Sequence, residues 1–150
     1  MKIHKLHSKS PPAILKSAAV LLARQMKTLG EKHTCKEVEV ILAGALKRSS
    51  GANVIMIEND GEPLGVCFFN ICTGIQSKGN YIWINEIYVE QKHRGRGYGR
   101  ALLEYVEKFG RKYGCRYIAA QTDKKNKASR RLFDKSGFDG TYIVWMDKKI

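Results

Sequence analysis

The chain has no uninterrupted apolar run near eighteen residues, no Cys-x-x-Cys pair and no Gly-Lys-Ser or Gly-Lys-Thr. Each absence removes a class of function. Lacking a long apolar run, it reads as globular, with no membrane partner expected. The four cysteines (Cys35, Cys67, Cys72, Cys115) lie far apart and read as free thiols, buried where they fall in apolar, strand-like sequence. His4 and His7 have no further Cys or His cluster to complete a site, so no metal is expected. The missing Gly-Lys-Ser/Thr excludes the phosphate loop of nucleotide hydrolases. Repeats and low-complexity linkers are absent too, so the 150 residues are expected to form one domain with a real core. An export signal is not recognised: Lys16 interrupts the apolar stretch Ala13–Ala23, whose periodicity is that of an amphipathic helix. Reduced thiols without such a signal point to the cytoplasm.

Charge is abundant and uneven. The net charge is +13, yet residues 91–135 carry fourteen Lys/Arg against four acids, whereas residues 51–90 carry one Lys against five. That split suits an anionic ligand on one side of a site and a cationic one on the other.

Periodicity gives the order of elements. Ile14, Leu15, Ala18, Ala19, Leu22 and Met26 recur at helical spacing after Pro11-Pro12, and Gly30 ends that helix. A second helix is expected from about Cys35 to Lys47, with Val38, Ile41, Leu42, Ala45 and Leu46 inward. Strands follow at Asn53–Ile57, Leu64–Thr73 and Tyr81–Val89, the first two joined by the hairpin signal Asn59-Asp60-Gly61. In the third strand Ile82 and Ile84 share one parity, and Ile87 and Val89 the other. A β-bulge at Asn85-Glu86 explains the phase change. A helix over Tyr98–Tyr113, a parallel strand over Arg116–Gln121, a helix from Asn126 to Ser136 and a last strand over Thr141–Met146 complete the reading. The architecture is α/β, an α+β mixed sheet containing a βαβ unit.

Between that third strand and its helix stands Arg94-Gly95-Arg96-Gly97-Tyr98-Gly99-Arg100. Alternate glycines free the backbone where strand turns into helix, and the helix N-terminus there is positive, with three arginines around it. Such a turn suits phosphates. The spacing G-x-G-x-G is not the dinucleotide fingerprint G-x-G-x-x-G, and Gly114–Ile118 supplies no ribose-binding acid.

Two motifs identify a family. Arg94-x-x-Gly97-x-Gly99 matches Q/R-x-x-G-x-G/A. Asn126, Leu132, Gly137 and Phe138 match N-x-x-A-x-x-L-Y-x-x-x-G-F, with Ser129 at the small position and Phe133 in place of tyrosine. The chain resembles the GNAT superfamily of acetyl-CoA-dependent N-acetyltransferases over roughly residues 10–150. The resemblance implies the GNAT-type acyl-CoA N-acyltransferase fold: a central mixed sheet splayed at a bulge in the strand ending at Val89, with helices on both faces. It implies that Arg94, Gly95, Arg96, Gly97, Tyr98, Gly99 and Arg100 hold the coenzyme A pyrophosphate. By the same likeness, main-chain groups of Ile87, Tyr88 and Val89 take the pantetheine and acetyl carbonyl. Asn126 is the family's capping asparagine, and Arg131, with Lys124, Lys125 and Lys127, is within reach of the adenosine phosphates. Acceptor contacts are implied around Met26–Lys36.

Transfer to an amine needs a base, a polarised carbonyl and a proton for the departing thiolate. Glu86, at the bulge and directly before the acyl-binding stretch, is the expected base; Glu90, Asp123 and His93 are further candidates. Phe133 lacks the hydroxyl that usually protonates the thiolate, leaving water or Tyr88. The acidic 51–90 segment suggests a cationic amine acceptor. A single strand after Phe138 leaves a sheet edge open, which a homodimer would cover. Two other classes stay open: a non-catalytic acyl-CoA sensor, motivated by Phe133, and a nucleic-acid-binding module, motivated by Lys124–Arg131. No aromatics interleave those basic residues, which weakens the nucleic-acid reading.

Overall fold

A computed structural model describes residues 1–47 and 49–150. Among these described residues five strands and four α-helices form one mixed sheet with helices on both faces: β1 (Lys2–Lys5), α1 (Pro12–Thr28), α2 (Cys35–Ala45), β2 (Ala52–Asn59), β3 (Glu62–Gly74), β4 (Gly79–Val89), α3 (Tyr98–Lys112), β5 (Ile118–Ala120) and α4 (Lys127–Lys135). Spatial order follows chain order, antiparallel throughout except for the parallel pair β4–β5.

Local chemistry sets the boundaries. Proline opens α1, where its missing N–H costs nothing. Thr34 and Glu37 close a capping box at the start of α2. Asp60 and Gly61 both take positive φ, as the tight β2–β3 hairpin turn requires. The sheet separates two cores. On one face Ala18, Ala19, Leu21 and Leu22 of α1, with Val38 and Leu42 of α2, pack on Val54, Met56, Val66 and Tyr88. On the other, Leu102, Val106 and Phe109 of α3 and Phe133 of α4 pack on Ile55, Cys67, Phe69, Ile82 and Ile84.

The bulge is where the parity change put it. Phe68 pairs with Glu86 and Phe69 with Ile84, so Asn85 has no opposite number. The extra residue reverses which face each later side chain meets. Ile82 and Ile84 lie on the α3 face before it; after it, Ile87 and Val89 do, and Tyr88 turns to α1.

Three expectations need correction. β1 was not expected: Lys2-Ile3-His4-Lys5 carries a single apolar side chain. Its charged ends are what an edge strand uses to refuse further partners. The strand expected over Thr141–Met146 does not form; the segment joins no ladder, and Tyr142, Val144 and Met146 are at least 79% exposed. β-propensity describes fit to a pleated, half-buried surface, and three-residue β5 offers little of one. Ile41, expected inward, is 56% exposed, because Val38, Leu42 and Leu46 already fill the core stripe of α2.

Candidate active site

β4 changes character along its length. Its first half is held on both sides: Ile82, Trp83 and Ile84 are in register with Ile118, Ala119 and Ala120, and Ile82 N–H donates to Tyr117 C=O at 3.0 Å. Past the bulge β5 is gone, and only β3 remains. Glu90 N–H donates to Leu64 C=O at 2.9 Å. By the alternation of an antiparallel ladder Tyr88 and Glu86 also direct their main-chain groups to β3, and Ile87 and Val89 direct theirs outward. Arg94 Nε takes the outward carbonyl of Val89 at 3.0 Å. That leaves the Ile87 and Val89 N–H groups on an open edge, the arrangement an acyl oxygen needs. Gly65 keeps the closed side tight: a Cβ there would stand 2.7 Å from the Tyr88 carbonyl oxygen.

The bulge also places the carboxylate. Without Asn85 as the extra residue, residue 86 would share the α3 face with Ile82 and Ile84. With it, Glu86 faces α1, where Gln25 Nε2 donates to Glu86 Oε2. Burial pushes its carboxyl up to about 7, and the Gln25 hydrogen bond pulls the other way. Cys67 in β3 is fully buried, and burial together with the Glu86 charge pushes its thiol well above the ordinary range. The other candidate bases are engaged. Glu90 pairs with Arg24 of α1, His93 Nε2 meets Glu62 at 3.1 Å, and Asp123 accepts from Lys125 N–H at 2.6 Å. Glu86 is held by the uncharged Gln25 amide, beside the open edge of β4.

The glycine turn splits into two functions. Gly95 and Gly97 take φ of +79° and +85°, which L side chains rarely adopt, and the turn is exposed. No side chain caps α3 and no acid occupies its first turn, so its N-terminal N–H groups and dipole stay uncompensated. Gly99 is helical, and a Cβ there would lie 3.1 Å from Leu132: its glycine lets α4 approach α3. The arginines divide likewise. Arg94 ties the turn to Val89 and stacks over Tyr88 at 5.6 Å; Arg100 pairs with Glu104 at 2.9 Å. Arg96 stands exposed in the turn. A tether invisible in the sequence anchors the turn's other end: Lys92 and His93 both reach Glu62 of β3. These hydrogen bonds, Lys92 first, hold the Glu62 carboxyl below its usual range.

Asn126 caps α4, its Oδ1 accepting from Ser129 N–H at 3.0 Å. Lys124, Lys125, Lys127 and Arg131 are exposed around it, and Lys124 lies over the Tyr142 ring. Phe133 is buried against Phe138, with ring centroids 5.0 Å apart.

The acidic patch expected over residues 51–90 does not assemble. Glu58 meets His4 on β1, Asp60 sits in the hairpin with Asn59, and Glu62 serves the turn. Only Glu86 and Glu90 remain beside the open edge, so the segment's net charge says little about the acceptor. The α1–α2 connection does form a shallow depression of about 470 Å³, lined by Ala23, Arg24, Lys27, Lys32, His33 and Cys35 among others.

Comparison with known proteins agrees with this geometry. A family model described as Acetyltransferase (GNAT) family matches residues 18–138. An aminoglycoside N(6')-acetyltransferase type 1 of Klebsiella aerogenes is 31% identical over 111 residues, covering 70% of this chain and 72% of that one. The uncharacterized N-acetyltransferase YhdJ of Bacillus subtilis (strain 168) is 32% identical over 62 residues, 41% of this chain and 44% of its own length. The match thus spans under half of that relative. Among solved structures, a ribosomal-protein-alanine N-acetyltransferase from Brucella melitensis biovar Abortus 2308 superposes with a TM-score of 0.79 at 16% identity, covering 99% of this chain and 100% of that one. The aminoglycoside N-acetyltransferase AAC(6')-Iy, in complex with CoA, superposes with a TM-score of 0.82 at 19% identity, covering 99% and 93%. At these identities the structural likeness speaks for the fold.

Proposed function

The chain belongs to the GNAT acetyltransferase family and is an acyltransferase, and from that premise we propose that it moves the acetyl group of acetyl-CoA to a primary amine by direct attack. The observation that carries the reading is Glu86, a half-buried carboxyl with a proton affinity near 7 beside the unpaired edge of β4. The chain's groups fit the co-substrate: the uncapped N-terminus of α3, with Gly95, Gly97 and Arg96, suits a pyrophosphate. Arg94 and Arg100 flank it, and Arg131 with the lysines of the α4 entrance suits the adenosine phosphates. Acetyl-CoA supplies an activated thioester.

The residues then divide the work. Glu86 takes a proton from the acceptor, so that a neutral amine attacks, a contribution typically of roughly 10²–10⁴-fold. As the new C–N bond forms and the C–S bond breaks, the N–H groups of Ile87 and Val89 stabilise the negative charge growing on the carbonyl oxygen. Such a role is often worth about 3–4 kcal/mol. The Tyr88 ring faces α1 and supports Arg94. The electron pair leaves on sulfur, and water carries to the thiolate the proton that the attacking nitrogen sheds, a transfer for which Phe133 has no hydroxyl. No metal enters this scheme.

A thiol-release assay with acetyl-CoA across a panel of amines tests the proposal. Release that depends on one class of amine supports it; tight acetyl-CoA binding without release from any amine would favour the sensor that Phe133 suggests. We further read the protein as a cytoplasmic homodimer. The free cysteines support the location. Support for the dimer is the open outer edge of β5 together with the unpaired segment 141–146, and sedimentation velocity tests it. Among the described residues no helix is long and apolar enough to cross a membrane.

A further inference from the structure

The sheet face that carries Glu86 runs on beyond the cover of α1. Tyr81 and Trp83 alternate with Ile82 and Ile84, so they point to the side opposite α3, the side to which the bulge turns Glu86. Trp83 is in register with Ala119 of β5. One step before, the Tyr81 and Tyr117 rings stack across the same two strands, their centroids 5.1 Å apart and their planes at 14°. Among the described residues, neither core takes in any of these three aromatics. Tyr117 is 47% exposed, and Tyr81 and Trp83 are half-buried. Large rings contribute most to a fold when covered, so three of them on an open sheet face, next to a reactive carboxylate, point to something that lies on them.

The layout suits a ring. Ala119 brings only a methyl group to the position beside Trp83, and Asn70 of β3 flanks it on the other side. Asn70 Oδ1 accepts from Asn85 Nδ2 at 2.9 Å, and Glu86, partly exposed, comes next. Trp83 and Glu86 are three positions apart, at most roughly 10 Å along a strand and less across a bulge. A two- or three-carbon chain and the Glu86 side chain close that gap.

Charge decides what kind of molecule carries the ring. Glu86 is the one charged residue of β4, β5 has none, and β3 has none after Glu62, which Lys92 and His93 engage. Glu90 is paired with Arg24, and Lys27 lies exposed on α1. Among the described residues a second ammonium would therefore meet no unengaged carboxylate on this face, and the +13 charge of the chain opposes a polycation. Aromatic faces are electron-rich, so they attract a ring edge or a single cation and repel an anion.

We infer that the acceptor is a monoamine joined by a short chain to a flat, uncharged ring. The ring lies against Trp83 over Ala119, with the Tyr81–Tyr117 stack at its far end, and the amine reaches Glu86. The inference rests on the reading of Glu86 as base and names the acceptor class for that site.

Thiol release from acetyl-CoA with 2-phenylethylamine, butylamine and the polycation kanamycin tests it, in the native enzyme, Trp83→Leu and Ala119→Leu. In the native enzyme 2-phenylethylamine should exceed butylamine in kcat/KM by roughly tenfold or more, chiefly through KM, and kanamycin should be the poorest acceptor. Trp83→Leu should lower the ratio of 2-phenylethylamine to butylamine roughly three- to tenfold, the worth of one aromatic pair. Ala119→Leu fills the place beside the indole and should lower the same ratio with all three aromatics intact. A second readout needs no turnover. With Trp145→Phe, Trp83 is the only tryptophan, and 2-phenylethylamine should change its fluorescence where butylamine does not. Fastest release with kanamycin, or a folded Trp83→Leu with the native ratio, overturns the inference and leaves the proposed function standing. So does a Trp83 already shielded from acrylamide in the free protein, the apolar 141–146 segment then being the occupant. A native enzyme that releases thiol with no amine contradicts the proposed function and takes this inference with it.

Discussion

The two halves of β4 differ by one residue of register and by everything that follows from it. Ile82–Ile84 is interior, with β3 and β5 on either side and Ile82 and Ile84 sealed under α3. Glu86–Val89 keeps β3 but has lost β5, and its even-numbered side chains face α1. A bulge is the least disruptive device that can do both. It turns a carboxylate to a new face and bends the strand away from its parallel neighbour, while Gly65 keeps the other ladder closed. The first half therefore holds the sheet together, and the second half holds unpaired donors and a carboxylate that burial makes hard to ionise. Stability and reactivity sit four residues apart.

The sharpest way to break this comparison is at the carboxylate. Glu86→Gln should lower kcat roughly 10²–10⁴-fold while leaving acetyl-CoA affinity unchanged, as read by steady-state kinetics and calorimetry. The same change should stabilise the fold above pH 7. Burial raises the folded-state pKa of Glu86 from 4.5 to about 7. The stability it contributes is therefore present below about 4.5 and lost as pH rises through 7. Discounted for partial exposure, thermal unfolding at pH 8 should show a gain of about 1–2 kcal/mol. An activity loss without that gain would separate the base from its burial.

Matched truncations sharpen the structural side. Ile84→Ala removes a side chain that is 3% exposed and should cost about 2–5 kcal/mol in denaturant unfolding. Ile87→Ala, half-buried on the one-sided stretch, should cost less stability and more turnover. Equal stability losses would mean that the two halves are not differently supported. The smallest effect belongs outside the strand. Phe133→Tyr restores a hydroxyl on α4 and should leave thiol release equal or higher; a collapse with folding intact would mean that the sulfur's proton route depends on an apolar wall at Phe133.

What the sequence disclosed and withheld follows the same division. The bulge was legible, because the parity change between Ile82/Ile84 and Ile87/Val89 is a local pattern. So was the turn, since Gly95 and Gly97 stand where only glycine takes positive φ cheaply. Gln25 was not legible. Its partner is 61 residues away, and one glutamine on an amphipathic helix looks like any solvated side chain. The ties from Glu62 to Lys92 and His93 were hidden for the same reason, and they explain why the acids of residues 51–90 do not gather into one patch. Gly99, expected in the phosphate turn, also gives Leu132 its contact surface, which the sequence did not disclose. Thr141–Met146 looked like a strand because β-branched and aromatic residues do, but the edge open to it, three-residue β5, is short.

Amide hydrogen exchange along β4, with and without acetyl-CoA, tests the division most directly. Ile82, bonded to Tyr117, should exchange slowly in both states. The Ile87 and Val89 amides should exchange fast in the free protein and become protected when acetyl-CoA binds, with Tyr88 slow throughout. Ile87 and Val89 amides already protected in the free protein, or unchanged by bound acetyl-CoA, would contradict the open edge as the seat of the acyl group.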